Sequence, residues 1–241
     1  MDDLNRLHPT GEGAQGQLLE DCSIQSQDGR IAVYFRNLDQ HVIQEIAEAD
    51  IVLGCVAWLT NFPILEALTV KRNVSIIVQK EDFLRHDVPG HEQWKTRLRG
   101  LYDSLSCELE HHMFGDNLLS SVSISTVHGM DPVRCVGNHN RDRPKAFPRM
   151  HNKFLVFCRE RSHAELLVSK PDGYTYIVPY AVWTGSFNFT TTATLSLENA
   201  LVINEKNTVR AYYREYGQIA ALSERLDWAR EWAAPEWQIE G

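Results

Sequence analysis

Two short segments of this chain carry side chains that can attack and hold a phosphate. In the first segment, His151 and Lys153 are separated by one residue and lead directly into the apolar run 154–157. Residues i and i+2 of a strand point to the same face. An imidazole, which can act as nucleophile, acid or base, would therefore share a face with a fixed cation. A lone His-x-Lys pair arises by chance in many proteins and predicts nothing without further residues.

The second segment, residues 183–190, has Gly185 where a strand must turn, with Ser186 and Asn188 two positions apart. A hydroxyl, a carboxamide and free backbone N–H groups near a helix start favour a bound anion. Glu198 then stands before the apolar run 199–203. A carboxylate beside a buried strand needs a partner, and an imidazole suits it because such a pair orients the ring.

In this order, the His-x-Lys pair, the Gly-Ser-x-Asn segment and the Glu-Asn pair resemble the phospholipase D superfamily, the HKD-motif phosphodiesterases. They are most similar to its small single-motif bacterial nucleases, and the match covers residues 151–153 and 183–203. The resemblance implies a phosphodiesterase that needs no metal and no cofactor. It assigns five catalytic residues: His151 as the nucleophile that forms a phosphohistidine, Lys153, Asn188 and Ser186 as ligands of the phosphate oxygens, and Glu198 as the support of an imidazole.

The reaction implied by this resemblance needs a second histidine, and the chain has no second His-x-Lys. Superfamily members with one motif form a symmetric homodimer with a shared active site, so we expect the same here. A degenerate second motif or a different partner chain is the alternative. The chain also departs from the family at Cys158, five residues after Lys153, where the motif has Asp. That Asp is given a supporting structural role, so its absence bears on geometry more than on chemistry.

Basic residues cluster around the first segment although the net charge of the chain is −8. Residues 134–161 contain eight basic residues against two acidic ones, Asp142 and Glu160. Such clustering favours an anionic ligand. We predict substrate binding by four of them: Arg141, Arg143, Lys145 and Arg149.

The expected function is a nuclease, for DNA in preference to RNA. A phospholipid phosphodiesterase of the phospholipase D or cardiolipin hydrolase type is one alternative, although no membrane anchor or basic amphipathic helix is evident. A catalytically impaired nucleic-acid-binding module is the other, and Cys158 is its main support.

Composition bounds the class of protein. No apolar run is long enough to span a membrane and no secretory signal is evident at residues 1–6, so we expect a cytoplasmic protein without membrane partners. Five loosely spaced cysteines argue against a disulfide framework. Cys107 with His111, and Cys135 with His139, show a Cys-x-x-x-His spacing that coincidence explains better than a zinc site.

The periodicity predicts an α/β fold, and the resemblance implies a phospholipase D-like α-β-α sandwich with a mixed, largely parallel central sheet. Residues 31–78 show a β-α-β-α-β alternation that implies parallel pairing. We expect a flexible or loosely docked arm over residues 1–29 and one catalytic domain over residues 30–241. Within that domain we predict a long loop at 129–149, an inserted hairpin near 163–178 and a C-terminal helix near 209–232.

Overall fold

The computed structural model describes residues 3–6, 19–81, 90–109, 122–123, 131–137, 149–162, 175–226 and 238–239. The helices over these residues are α1 Leu38–Glu48, α2 Phe62–Thr69, α3 Glu92–Asp103 and α4 Lys206–Ala221, with 3-10 turns at Leu4–Arg6 and Ala193–Leu195. The strands are β1 Ile24–Gln25, β2 Ile31–Tyr34, β3 Ile51–Val56, β4 Asn73–Gln79, β5 Val122–Ser123, β6 Val133–Val136, β7 Lys153–Ser162, β8 Thr175–Gly185, β9 Ala200–Ile203, β10 Glu224–Arg225 and β11 Gln238–Ile239.

Nine of these strands form one mixed sheet in the order β1-β2-β9-β8-β7-β3-β4-β6-β10. Helices α1, α2 and α3 bury apolar residues on one face of the sheet, and α4 buries Val209 and Tyr216 on the other. Successive residues of β3 and β7 alternate between these two cores, as a pleated strand requires. The predicted α/β class and its three-layer sandwich are confirmed.

The prediction of a largely parallel sheet is wrong. Only the pairs β3–β4 and β4–β6 are parallel, whereas the other six neighbouring pairs of this sheet are antiparallel. In the sheet, β2 and β3 are separated by three strands, which are β9, β8 and β7. Strand β2 therefore pairs with β9 and not with β3. The crossover through α1 therefore passes over three strands that come later in the chain, and local periodicity does not reveal them.

Three predicted boundaries also change. The predicted loop 129–149 contains β6, whose Arg134 is fully buried in an ion pair with Asp131 at 2.8 Å. The C-terminal helix ends at Ala221 rather than near residue 232, because Ser223 turns back to donate to Ala220 O and β10 then pairs with β6. The segments predicted at 174–178 and 180–184 belong, over the described residues, to the single strand β8.

The remaining predictions fall partly outside the described residues. Residues 163–174, the greater part of the predicted hairpin near 163–178, lie there. In the described part of the predicted N-terminal arm, Asn5 donates to the carbonyls of Thr194 and Ser196, and β1 pairs with β2. No helix over the described ranges is long and apolar enough to cross a membrane.

Candidate active site

The order of the strands brings the two motif segments to one edge of the sheet. Strands β7, β8 and β9 are antiparallel neighbours, with Phe154 opposite Thr184 and Gly185 opposite Ala200. The start of β7, the end of β8 and the start of β9 therefore meet at the same edge. The structure thus gathers there all five residues predicted to be catalytic: His151, Lys153, Ser186, Asn188 and Glu198.

His151 and Lys153 interact directly. Lys153 Nζ lies 3.2 Å from His151 Nδ1 and 3.5 Å from Nε2, and it also donates to the His151 carbonyl at 3.2 Å. An ammonium group only donates hydrogen bonds, so a ring nitrogen that receives one is unprotonated. The imidazole of His151 is exposed, and its ring meets the Trp58 ring edge to face at 5.9 Å. The nucleophile candidate is therefore exposed and has a cation close to both of its ring nitrogens.

Electrostatics favour the neutral imidazole as well. Partial desolvation, then the cations of Lys153 and Arg149, lower the pKa of His151 below 6.5. Desolvation also lowers the pKa of Lys153, and the nearby carboxylate of Glu198 opposes that shift. At neutral pH the site therefore offers an uncharged nitrogen beside a cation, which is the combination needed to attack an anionic diester.

The segment after β8 alternates between the core and the site. Phe187 and Phe189 are 1% and 0% exposed, so Ser186 and Asn188, which alternate with them, turn to the opposite side. A Cβ atom on Gly185 would collide with Asn199 O and lie 2.7 Å from the Ala200 Cα. Glycine is therefore required where β8 and β9 come closest.

Ser186 links β8 to Glu198. Its hydroxyl donates a short hydrogen bond to Glu198 Oε2 and accepts one from Asn199 N at 3.1 Å, and its own N–H donates to Asn199 O at 3.1 Å. Within one chain, Glu198 thus contacts Ser186 and not His151. Any imidazole that Glu198 supports therefore lies outside the described residues of this chain.

Asn188 carries an acceptor that the described part of the chain leaves unused. Its Oδ1 is buried and receives no hydrogen bond from the described residues. A buried carboxamide oxygen without a donor costs about 1–3 kcal/mol. A buried acceptor of this kind calls for a donor from outside the described residues, either water, a ligand or another segment.

Trp58, Glu81 and Arg149 form a series of hydrogen bonds at this edge that was not predicted from the sequence. Trp58 follows β3 and Glu81 follows β4, two parallel strands that end at the same edge as the motif segments. Glu81 Oε1 accepts from Trp58 Nε1 at 3.3 Å and from Arg149 at 2.9 Å. Trp58 could not be recognised as a site residue from the sequence, because it lies within an apolar run that predicts only a buried strand.

The basic stretch does not surround the site as a whole. Arg134 is buried in its ion pair, and Arg159, about 20 Å from Lys153 along β7, contacts Asp50 at 3.8 Å and stacks on Tyr180. Of the four predicted substrate-binding residues, Arg149 is at the site, where it pairs with Glu81. The other three, Arg141, Arg143 and Lys145, lie outside the described residues.

Cys158, at the position of the motif Asp, lies away from the chemistry. It is fully buried in the core between the sheet and α4, opposite Pro179 at an irregularity of the β7–β8 pairing. Burial raises the pKa of its thiol well above the ordinary range. Its side chain fills core volume and contributes no charge to the site.

The described residues contain no group of three or more His, Cys, Asp or Glu side chains that could hold a metal ion. Of the two Cys-x-x-x-His pairs, only the cysteines are described, because His111 and His139 lie outside those residues. Burial raises the pKa of Cys107 to about 11, and Cys135 is fully buried near Glu224.

No family model matches the chain. Among solved structures, it aligns with Nuc from Salmonella typhimurium, described as a phospholipase D family member, at 15% identity and a TM-score of 0.47, covering 81% of this chain and 97% of that one. It aligns with NucT from Helicobacter pylori at 12% identity and a TM-score of 0.47, covering 82% and 99%.

A relative is found at much higher sequence identity. The chain is 32% identical over 218 residues to the uncharacterized protein L381 of Acanthamoeba polyphaga mimivirus. That alignment covers 83% of this chain and 69% of the viral protein. The chain therefore belongs to the same family as the mimivirus protein L381.

Proposed function

We propose that this protein is a metal-independent phosphodiesterase of the phospholipase D superfamily, and that it acts as a nuclease on DNA or RNA. The carrying observation is the gathering of His151, Lys153, Ser186 and Glu198 at one sheet edge, with the lysine held against the imidazole. Residues 151 and 198 are 47 positions apart in the chain, so only the fold unites them.

The proposed chemistry proceeds in two displacements at phosphorus. The neutral imidazole of His151 attacks, the bond to the leaving oxygen breaks, and a phosphohistidine forms. A second histidine protonates the leaving oxygen and then takes a proton from the water that releases the phosphate. Lys153 and Asn188 hold the non-bridging oxygens as their charge increases. Ser186 assists them only if its hydroxyl proton, which goes to Glu198 in the structure, turns to the phosphate.

We assign the second histidine to an identical subunit, so that the active site lies on the axis of a homodimer. Two features of the described residues support this. His151 and Ser186 are exposed at the sheet edge, and Glu198 contacts no imidazole among the residues that the structure describes. The partner's copy of His151 would provide the ring that Glu198 lacks.

Nucleic acid is the proposed substrate because of the cations expected near the site. Arg149 lies there, and a phosphate would share it with Glu81, with which it pairs at 2.9 Å. We assign Arg141, Arg143 and Lys145 to the same phosphate-binding surface. The double variant Arg141→Ala/Arg143→Ala should bind nucleic acid more weakly and with a flatter salt dependence, since each lost phosphate contact reduces the slope. An unchanged slope would remove these two arginines from the interface.

One incubation series tests the reaction. The protein is incubated in EDTA with plasmid, single-stranded DNA, RNA and a labelled phospholipid, beside the His151→Ala variant. We expect cleavage of nucleic acid that resists EDTA and falls by at least about 10⁴-fold in the variant. Cleavage abolished by EDTA would refute the metal-free mechanism, and hydrolysis of the phospholipid alone would refute the nuclease.

A mixing experiment tests the shared site. Wild-type and His151→Ala chains are unfolded, mixed in equal amounts and refolded together. If both histidines are needed in one site, only the wild-type homodimer is active. The activity of the mixture then falls to about a quarter of that of the same total amount of wild-type protein. Two independent sites would retain about a half of that activity.

His91→Ala serves as the control for a second histidine in the same chain. An active monomer that this variant inactivates would overturn the dimer.

A further inference from the structure

Beside His151 the surface carries a groove of about 570 Å³. Two indoles and four polar side chains line it: Trp58, Thr60, His91, Trp94, Thr190 and Thr192. Its volume lies within the range of about 300–1,000 Å³ that small-ligand sites occupy. None of the residues assigned to catalysis lines it, so the proposed reaction does not account for this groove.

The groove is continuous with the proposed phosphate site at two points. Trp58 lines it and also contacts the ring of His151. Thr190 lines it and donates its N–H to Asn188 O at 2.8 Å. A ligand whose phosphate lies at His151 would therefore place the adjacent group of its chain in the groove.

We propose that this groove is a base-stacking subsite, which holds one unpaired base of a single-stranded nucleic acid next to the phosphate at His151. The inference rests on the nuclease function proposed above. An aromatic face stacks on any base and discriminates little among sequences. A base within a duplex exposes only its edge, because its faces are covered by its neighbours. The groove thus selects single strands, or a base extruded from a duplex at a cost.

The lining favours a base over an acyl chain. No aliphatic side chain lines the groove among the described residues. His91 and three threonines are among the lining residues, and the Thr190 hydroxyl, which accepts from Ala193 N at 3.1 Å, keeps its proton to donate to the polar edge of a base. An acyl chain would bury those groups without partners, which is unfavourable.

Both indoles are held in place before a ligand arrives. Glu81 fixes Trp58 through its Nε1 hydrogen bond, and Arg149 in turn holds Glu81. Trp94, in the first turn of α3, packs against Phe62 with ring centroids 6.4 Å apart. A preorganised platform loses little side-chain entropy on binding.

The test compares two strands that differ only in their bases. One is a single-stranded oligonucleotide, and the other is an oligomer of equal length built from abasic units with the same phosphates. Wild-type protein should show a higher kcat/KM on the strand with bases. In Trp94→Ala the ratio of the two kcat/KM values should fall by roughly 5- to 150-fold, the range for loss of one stacked base.

Three further variants make the result specific. Trp94→Phe retains an aromatic face and should keep most of the ratio. Trp94→Leu retains apolar volume without that face and should lose it, so it carries the test if the alanine variant fails to fold. Val70→Ala, at an exposed position 80% accessible beyond α2, is the matched surface control and should leave the ratio unchanged.

The outcomes separate the two proposals. An unchanged ratio in Trp94→Ala and Trp94→Leu, with nuclease activity intact, overturns the stacking subsite alone. A wild-type protein that cleaves a duplex as fast as a single strand does the same. A wild-type protein that cleaves no nucleic acid but hydrolyses a phospholipid overturns the nuclease. Loss of that hydrolysis in Trp94→Ala would then assign the groove to an acyl chain.

Discussion

Two lysines at the same edge of the sheet have opposite roles. Lys80 follows β4, is 1% exposed, and forms an ion pair with Glu224, itself 1% exposed, at 2.8 Å. Lys153 begins β7, and among the described residues no carboxylate lies within ion-pair distance of it. The first charge is used inside the protein, whereas the second remains available to a ligand. A cation's role thus depends on whether the fold brings an anion to it.

The largest expected effect is the loss of protein stability when Lys80 is replaced. Lys80→Met would leave Glu224 buried without its partner, so we expect the free energy of unfolding in urea to fall by roughly 3–5 kcal/mol. The double variant Lys80→Met/Glu224→Leu should recover most of this loss, because replacing a whole buried pair by apolar groups is often neutral. A stable single variant would show that this pair contributes little.

Lys153→Met should lower activity and leave stability nearly unchanged, which is the reverse of the effect expected for Lys80→Met. Loss of a cation at the developing charge should lower kcat on a single-stranded oligonucleotide by about 10²–10³-fold. The free energy of unfolding should change by no more than about 0.5 kcal/mol, since no ion pair is broken. A large loss of stability with kcat retained would make Lys153 a structural residue and cancel the contrast with Lys80.

Cys158→Asp tests whether the motif's own carboxylate is tolerated here. The fully buried position would raise the pKa of the new carboxyl group, as it raises the pKa of the thiol. We expect a loss of about 1–3 kcal/mol while the group is protonated. The loss should grow as pH rises above the carboxyl pKa of the unfolded chain, because only the unfolded state then ionises freely.

Cys158→Ala is the matched control, which should cost less and show no added dependence on pH. Urea unfolding between pH 4 and pH 7 measures both variants. A gain of stability in Cys158→Asp would show that the core around α4 holds a partner for the family's carboxylate.

The smallest expected effect concerns pH. Arg149 is one of the causes that lower the pKa of His151, so Arg149→Gln should raise that pKa. The neutral imidazole is the reactive form, so the acidic limb of kcat/KM lies below pH 6.5 in the wild type and should move to higher pH in the variant. Arg159→Gln, at the far end of β7, should leave the limb in place.

Prediction from sequence was most successful where the signal was local. The spacing of His151 and Lys153, and of Ser186 and Asn188, predicted which side chains share a face, and the structure places them together. The alternation of Phe187 and Phe189 with these polar residues follows from the same period of two. The residues that lie together at this edge could therefore be named as candidates without coordinates.

Prediction failed where distant segments decide. Strand β2 pairs with β9, more than 160 residues later, so its local β-α-β pattern indicated the wrong neighbour. Arg134 and Arg159 counted as available cations until Asp131 and Asp50 were found beside them. Trp58 had no signal of its own, since an indole in an apolar run is typical of a core.

The sequence by itself determined the chemical groups of this protein, since residue types and short spacings fix what a strand can present on one face. Only the tertiary structure decided which cations remain available, which acceptors lack donors and which aromatic residues border His151. The physical reason is that charge, burial and stacking depend on neighbours in space. Those neighbours come from segments whose pairing is decided by the packing of the whole sheet.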